Sequence, residues 1–210
     1  MGETCVQYLF ITDEMLDQPG VEGAKYICSP PPKKEEDKLA IWEGICDGAL
    51  QTIATDHCPF WFDGSKEGRT PGKEIGYHSW DKVPNGVPGI EDRFPMTWHG
   101  AVNSGKITPN KFVEIISTNP AKIFGMYPKK GTIAVGSDAD IVIFDPEKEH
   151  TISAETHHMN IDYNLYEGTT VKGWPEKVLV RGELLVDGDK WLGKEGFGEF
   201  IFRKADNPII

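Results

Sequence analysis

The sequence predicts an α/β protein built in two parts, with an α/β segment over residues 1–130 and a β-rich segment over residues 131–210. Up to residue 55 the chain reads strand, helix, strand, whereas past Gly131 only short β-type runs recur. The chain also carries 23 glycines and 15 prolines in 210 residues, so much of it is turn and loop. The length suits two small domains, with the boundary near Tyr127–Gly131.

Taken in order, Val6–Ile11 is an apolar, β-prone run and predicts a first strand, which reads as a piece of something larger because no lead-in precedes it. Tyr26–Ser29 predicts a short strand stopped by Pro30, Pro31 and Pro32, which can neither donate to a ladder nor continue a helix. From Glu35 to Leu50, Leu39, Ala40, Trp42, Ile45, Cys46, Ala49 and Leu50 recur at three- and four-residue steps. Glu35, Glu36 and Asp37 sit where a helix N-terminus favours negative charge, so an amphipathic helix is expected. Thr52–Thr55 then reads as a short buried strand. Residues 58–92 hold Gly64, Gly68, Pro71, Gly72, Gly76, Pro84, Gly86, Pro88 and Gly89 without periodicity, as an active-site loop or linker does. Thr108 before Pro109 and Asn119 before Pro120 are N-cap and first-turn pairs that predict helices over 109–117 and 120–124. Thr132–Val135, Ile141–Phe144, Thr151–Ser153, Lys177–Val180 and Glu183–Val186 are the later β runs, and Val180-Arg181-Gly182-Glu183 is a tight hairpin.

Composition excludes several classes. Lys and Arg number 22 against 33 Asp and Glu, a net charge of −11, which opposes phosphate neutralisation and argues against nucleic acid. No apolar run approaches the roughly 20 residues of a membrane-spanning helix, and no signal segment is visible, so a cytoplasmic protein is expected. Cys5, Cys28, Cys46 and Cys58 form no CxxC pair and read as reduced thiols. The glycine-rich Gly193–Gly198 stretch lacks the strand-to-helix setting of a phosphate loop.

The most informative string is Gln51-Thr52-Ile53-Ala54-Thr55-Asp56-His57-Cys58-Pro59-Phe60. A β run delivers Asp56 and His57 to its C-terminal end, where α/β folds place ligands and metals. A carboxylate fixed there can ligate a divalent ion and take part in proton transfer. The plainer alternative is that Asp56 caps the following turn and His57 is a satisfied neighbour.

Gly2–Leu9, Tyr26–Pro31, the Asp56 string, Pro84–Arg93 and Gly131–Asp145, with its Ser137-Asp138-Ala139-Asp140 turn, occur in that order. Together with Asn164–Gly168 and Val180–Gly182 they closely resemble the carboxy-terminal half of the dihydropyrimidinase and D-hydantoinase family of the amidohydrolase superfamily. The resemblance implies a partial (β/α)₈ metallo-hydrolase barrel, contributing its last strands and helices, followed by part of a β-sandwich. It implies two divalent metal ions, usually zinc, a small cyclic ureide substrate and a homotetramer. It also implies hydrolysis of the ring amide of a dihydropyrimidine or hydantoin to an N-carbamoyl amino acid, by water activated on the metals. Asp56 matches the family aspartate that ligates a metal and carries the proton to the leaving nitrogen. Ser29 and Asn85 match the positions whose backbone groups bind the ureide; on spacing alone, both equally suit turns.

The other metal ligands of the family are a His-x-His pair, a carbamylated lysine and two further histidines, and the resemblance places them upstream of Gly2. This sequence has no His-x-His among His57, His78, His99, His150, His157 and His158. A full barrel needs about 250 residues. The chain is therefore expected to hold an incomplete site, to be inactive alone and to expose unpaired strand edges. Rival readings are a non-catalytic dihydropyrimidinase-like assembly protein, a related allantoinase or dihydroorotase, and a free-standing binding module.

Overall fold

The computed structural model describes residues 1–65 and 72–204; the predicted loop residues 66–71 and the last residues of the tail lie outside them. The chain forms two compact units, Met1–Met96 with Thr151–Thr170, and Thr97–His150 with Val171–Ile210. Compactness thus groups residues 151–170 with the N-terminal part and 131–150 with the helical run before them.

In the first unit, β1 (Glu3–Cys5) and β2 (Thr52–Ala54) pair in parallel, with Glu3 opposite Thr52 and Cys5 opposite Ala54. Between them runs α1 (Glu35–Cys46), whose first turn holds the three acids and whose backbone start is tied by the Lys34 N–H donating to the Asp37 carboxylate at 3.2 Å. Of its predicted apolar stripe only Trp42 and Ile45 are buried, and the Trp42 indole donates to the Leu9 carbonyl at 3.0 Å. Leu39 is 52% exposed, so the inner face is narrower than the periodicity suggests.

Two predicted strands are corrected here. The first strand is Glu3–Cys5, and Val6–Leu9 turn as a 3₁₀ helix, with the Gln7 carbonyl accepting from Phe10 and Ile11. Buried Val6 and Leu9 satisfy their apolar character there without a strand. Around Tyr26, Glu22–Tyr26 is another 3₁₀ turn, Ile27 after it is extended and Ser29 bends, and no strand pairing is formed there among the described residues; the Ile27 carbonyl serves Gly86 and Lys73 instead.

The long loop after β2 is built rather than slack. Short 3₁₀ turns occupy Lys73–Gly76 and Trp80–Lys82. The Asp162 carboxylate accepts from the Phe62 and Asp63 amides at 2.7 and 3.0 Å, and Glu74 accepts from Gly64 and Gly72. The 151–170 segment packs Ile152, Ile161, Tyr163, Leu165 and Tyr166 into this core, with Tyr166 edge-on to Phe10.

Next come α2 (Arg93–Thr97) and, in the second unit, a helical run of a π turn at Trp98–Val102, α3 (Pro109–Val113), a second π turn and α4 (Asn119–Ile123). Thr108 caps α3 as expected, accepting from Lys111 N. Asn119 does not cap: it is itself helical, so the predicted break before Pro120 is a π-turn junction. The sheet runs β3 (Ile141–Thr151), β4 (Thr170–Val180), β5 (Glu183–Asp187), β6 (Lys190–Trp191), in that spatial order. Arg181 and Gly182 have φ of 50° and 83°, the pair of positive values that a type I′ turn requires between Val180 and Glu183. The Ser137–Asp140 turn supports this hairpin through Asp140, which accepts from the Arg181 amide at 2.9 Å. Thr132–Val135 is not a strand, and Ile133 and Val135 stand exposed. Among the described residues no helix is long and apolar enough to cross a membrane, and all four cysteines are free thiols.

Candidate active site

The three predicted site residues lie in the first unit, on elements that converge beyond the C-terminal end of β2. Asp56 lies two residues beyond that strand, with a φ of 46°, a left-handed conformation that Asp tolerates better than most residues. Its side chain is exposed, and no hydrogen bond or ion pair engages it among the described residues. The turn that it was a candidate to cap is closed by Thr55 instead, whose hydroxyl accepts from the His57 amide at 3.2 Å.

His57 is spent on scaffolding. Its Nδ1 accepts from the Gly89 and Ile90 amides at 3.2 and 3.3 Å, and His57 pairs with Val87 in a parallel bridge. Burial lowers the imidazole's affinity for a proton, which keeps the ring neutral and able to accept. The 85–90 loop is thereby fixed against the exit of β2. The Cys58 amide, donating to the Val87 carbonyl at 3.1 Å, reinforces the same seam.

Ser29 and Asn85, 56 positions apart in sequence, meet directly: the Ser29 hydroxyl donates to Asn85 Oδ1 at 3.3 Å. Beside them the Gly86 amide donates to the Ile27 carbonyl at 3.0 Å. Gly86 is required at this crossing, because its φ is 149° and a Cβ would lie 2.1 Å from the Cys58 carbonyl oxygen. The Ser29–Pro30 peptide is cis, and the Tyr8 hydroxyl donates to the Pro30 carbonyl at 2.7 Å.

Asp56 acts electrostatically on this floor. Burial pushes the Cys5 thiol up to about 11, with the Asp56 carboxylate the next contributor. Burial likewise raises the Tyr8 phenol and the Cys28 thiol, and the Asp56 charge adds to both. All three groups are protonated at neutral pH, and the Tyr8 hydroxyl and Cys28 thiol both donate to the Pro30 carbonyl.

Sequence reasoning missed Tyr8 and Lys73. Tyr8 lay inside a run read as a strand, and Lys73 stands in a glycine-rich loop with no pattern to single it out. Lys73 is fully buried, and its Nζ donates to the carbonyls of Ile27 and Pro84 at 3.1 and 3.2 Å.

As a metal site, the exposed oxygens of Asp56 fit one coordination position of a divalent ion. Among the described residues no group of three or more His, Cys, Asp or Glu side chains is placed to hold an ion. Chemically, the arrangement offers a free carboxylate beside a rigid seam of backbone donors and acceptors.

The profile of the Amidohydrolase family matches residues 9–185. The chain is 48% identical over 202 residues to the D-hydantoinase of Streptomyces coelicolor, across 96% of this chain and 42% of that protein. It is also 48% identical over 209 residues to the D-hydantoinase of Geobacillus stearothermophilus, across 100% of this chain and 43% of that protein. Among solved structures, the dihydropyrimidinase from Brevibacillus agri matches with a TM-score of 0.91 at 48% identity, over 96% of this chain and 42% of that one. The chain thus spans about 43% of the length of the relatives it matches.

Proposed function

We propose, because this chain belongs to the amidohydrolase family, that it is the carboxy-terminal portion of a cyclic amidohydrolase of D-hydantoinase or dihydropyrimidinase type. Residues 1–130 are then the last strands and helices of a (β/α)₈ barrel, and residues 131–210 are part of a β-sandwich with its tail. The parent enzyme hydrolyses the ring amide of a dihydropyrimidine or hydantoin to an N-carbamoyl amino acid and assembles as a homotetramer in the cytoplasm. The observation that carries this reading is the unpartnered Asp56 carboxylate beyond β2, on the strand whose exit His57 fastens to the loop bearing Asn85, with Ser29 hydrogen-bonded to that Asn85.

A cyclic ureide is planar, with N–H donors and C=O acceptors at fixed angles. Recognition by backbone groups at Ser29 and Asn85 suits it, because those groups are held by the seam rather than by rotatable side chains. Hydrolysis adds water across the ring amide: the carbonyl carbon gains a hydroxyl, the C–N bond breaks and the nitrogen takes a proton. Asp56, engaged by no hydrogen bond or ion pair among the described residues, is the group that accepts the proton of the attacking water and returns it to the departing nitrogen. Two divalent metals, with zinc as the expected ion, would supply carbonyl polarisation and a nucleophile at neutral pH. Asp56 would hold one of them, so the chain alone carries an incomplete site.

Three measurements test this. The isolated chain is expected to retain well under one tightly bound zinc and to form no N-carbamoyl product from dihydrouracil or hydantoin. Two stoichiometric metals on it, or turnover, would overturn the incomplete site. Joined to the remainder of the Streptomyces coelicolor D-hydantoinase, the chain is expected to complete an enzyme that opens these rings. A folded, metal-loaded hybrid without activity would favour the non-catalytic assembly protein.

A further inference from the structure

We infer that Lys73 is the positioning residue of the ureide-binding seam: its buried ammonium ties the Ile27–Ser29 segment to the Pro84–Gly86 segment and so sets the distance between Ser29 and Asn85. The inference rests on the proposed ureide-binding role of those two residues.

The geometry is specific. Ile27 lies two residues before Ser29 and Pro84 immediately before Asn85, and Lys73 Nζ donates to both of their carbonyls. The Ile27 carbonyl accepts a second bond from the Gly86 amide, so one oxygen joins Lys73 to both segments. Lys73 is itself anchored, its amide donating to the Trp61 carbonyl at 2.7 Å. A cation is a costly way to close such a gap, since none of its side chain reaches solvent. The cost is visible in the ammonium, which burial pushes down to about 8, with the Cys28 and Cys58 thiols pulling the other way. A neutral side chain of this length would leave the part-buried Pro84 carbonyl without this donor and would remove one of the two donors to the Ile27 carbonyl, so the Gly86–Ile27 and Ser29–Asn85 bonds alone would join the two segments. Among the described residues neither segment belongs to a sheet, and while His57 holds the 87–90 side of the loop, Lys73 holds its Pro84 end.

Hydrogen–deuterium exchange on the dilute chain, read by mass spectrometry with and without dihydrouracil, tests both the clamp and its purpose. In Lys73→Met, peptides containing Gly86 are expected to exchange about tenfold faster than in the wild type, while α1 is unchanged. Protection of Ser29 and Asn85 by dihydrouracil is expected in the wild type and is expected to need about tenfold more ligand in the variant. Should Lys73→Met fail to fold, Lys73→Arg is read in its place. It keeps the charge, but its longer fork displaces at least one carbonyl, so the same local loosening is expected. Wild-type exchange at Gly86 in whichever variant folds would overturn the clamp. Faster exchange at Gly86 with unchanged dihydrouracil protection would overturn its link to binding. Absence of protection in the wild type would count against the ureide reading itself, while Gly86 exchange still decides whether Lys73 is a clamp.

Discussion

Asp92 shows how much a single buried group weighs in this fold. It is 2% exposed, and Asn164 Nδ2 donates to both of its oxygens at 3.2 and 3.0 Å. Burial nonetheless raises its carboxyl to about 7, with Glu91 and Glu167 adding to the rise and Asn164 opposing it. A carboxyl whose folded affinity for protons exceeds its unfolded one binds more protons in the native state between those two values. Stability is therefore expected to fall as pH rises from about 4 to 7, by up to about 1.4 kcal/mol per pH unit. Asp92→Asn keeps an acceptor for Asn164 and is expected to flatten that slope in chemical denaturation across the range; an unchanged slope would assign it to another group. Gly86→Ala belongs to the same scale. With a Cβ 2.1 Å from the Cys58 carbonyl and a φ of 149°, the loop must move, and a loss of about 1–3 kcal/mol is expected in the same assay. At this scale the sequence was legible where chemistry follows a strand end: Asp56 is where the β run predicted it. Lys73 was not legible, because its role depends on two carbonyls brought near it only by the fold, and His57 could be recognised as scaffold only once the 87–90 loop was in place.

Among the elements, those with local determinants were legible and those that depend on partners were not. The Val180–Glu183 hairpin follows from Arg-Gly between two β runs, and α3 from Thr108 and Pro109, since turn and cap chemistry is contained within a few residues. Val6–Ile11 and Thr132–Val135 have the composition of strands but no ladder to join, and composition alone cannot supply one. Gly182→Val, which places a β-branched side chain at a φ of 83°, is expected to cost about 1–2 kcal/mol in chemical denaturation of the second unit, with little effect on exchange in the first. Loss of protection in both units would contradict the local account of this turn.

Over the whole molecule, the apolar residues left in water are informative. Among the described residues β1 and β2 pair only with each other, whereas parallel strands are ordinarily covered on both faces within larger sheets. Leu39, Ile133, Val135, Phe200 and Phe202 are all more than half exposed. Open edges and apolar patches of this kind favour association. Light scattering of the isolated chain is expected to show self-association that grows with concentration, and a monodisperse monomer that unfolds cooperatively would contradict that. The family was legible from ordered motifs, because turn and site strings survive as short segments. The grouping of residues 151–170 with the N-terminal unit was not, since it rests on contacts such as Asp162 with Phe62 across about a hundred positions.

The central claim is that Asp56 does the proton chemistry of ring opening, and its most direct test is turnover of dihydrouracil by the hybrid enzyme with and without Asp56→Asn, at equal metal occupancy. The account predicts a loss in kcat of at least about a hundredfold with the fold intact. An Asn variant that opens the ring as fast as the parent hybrid would contradict it.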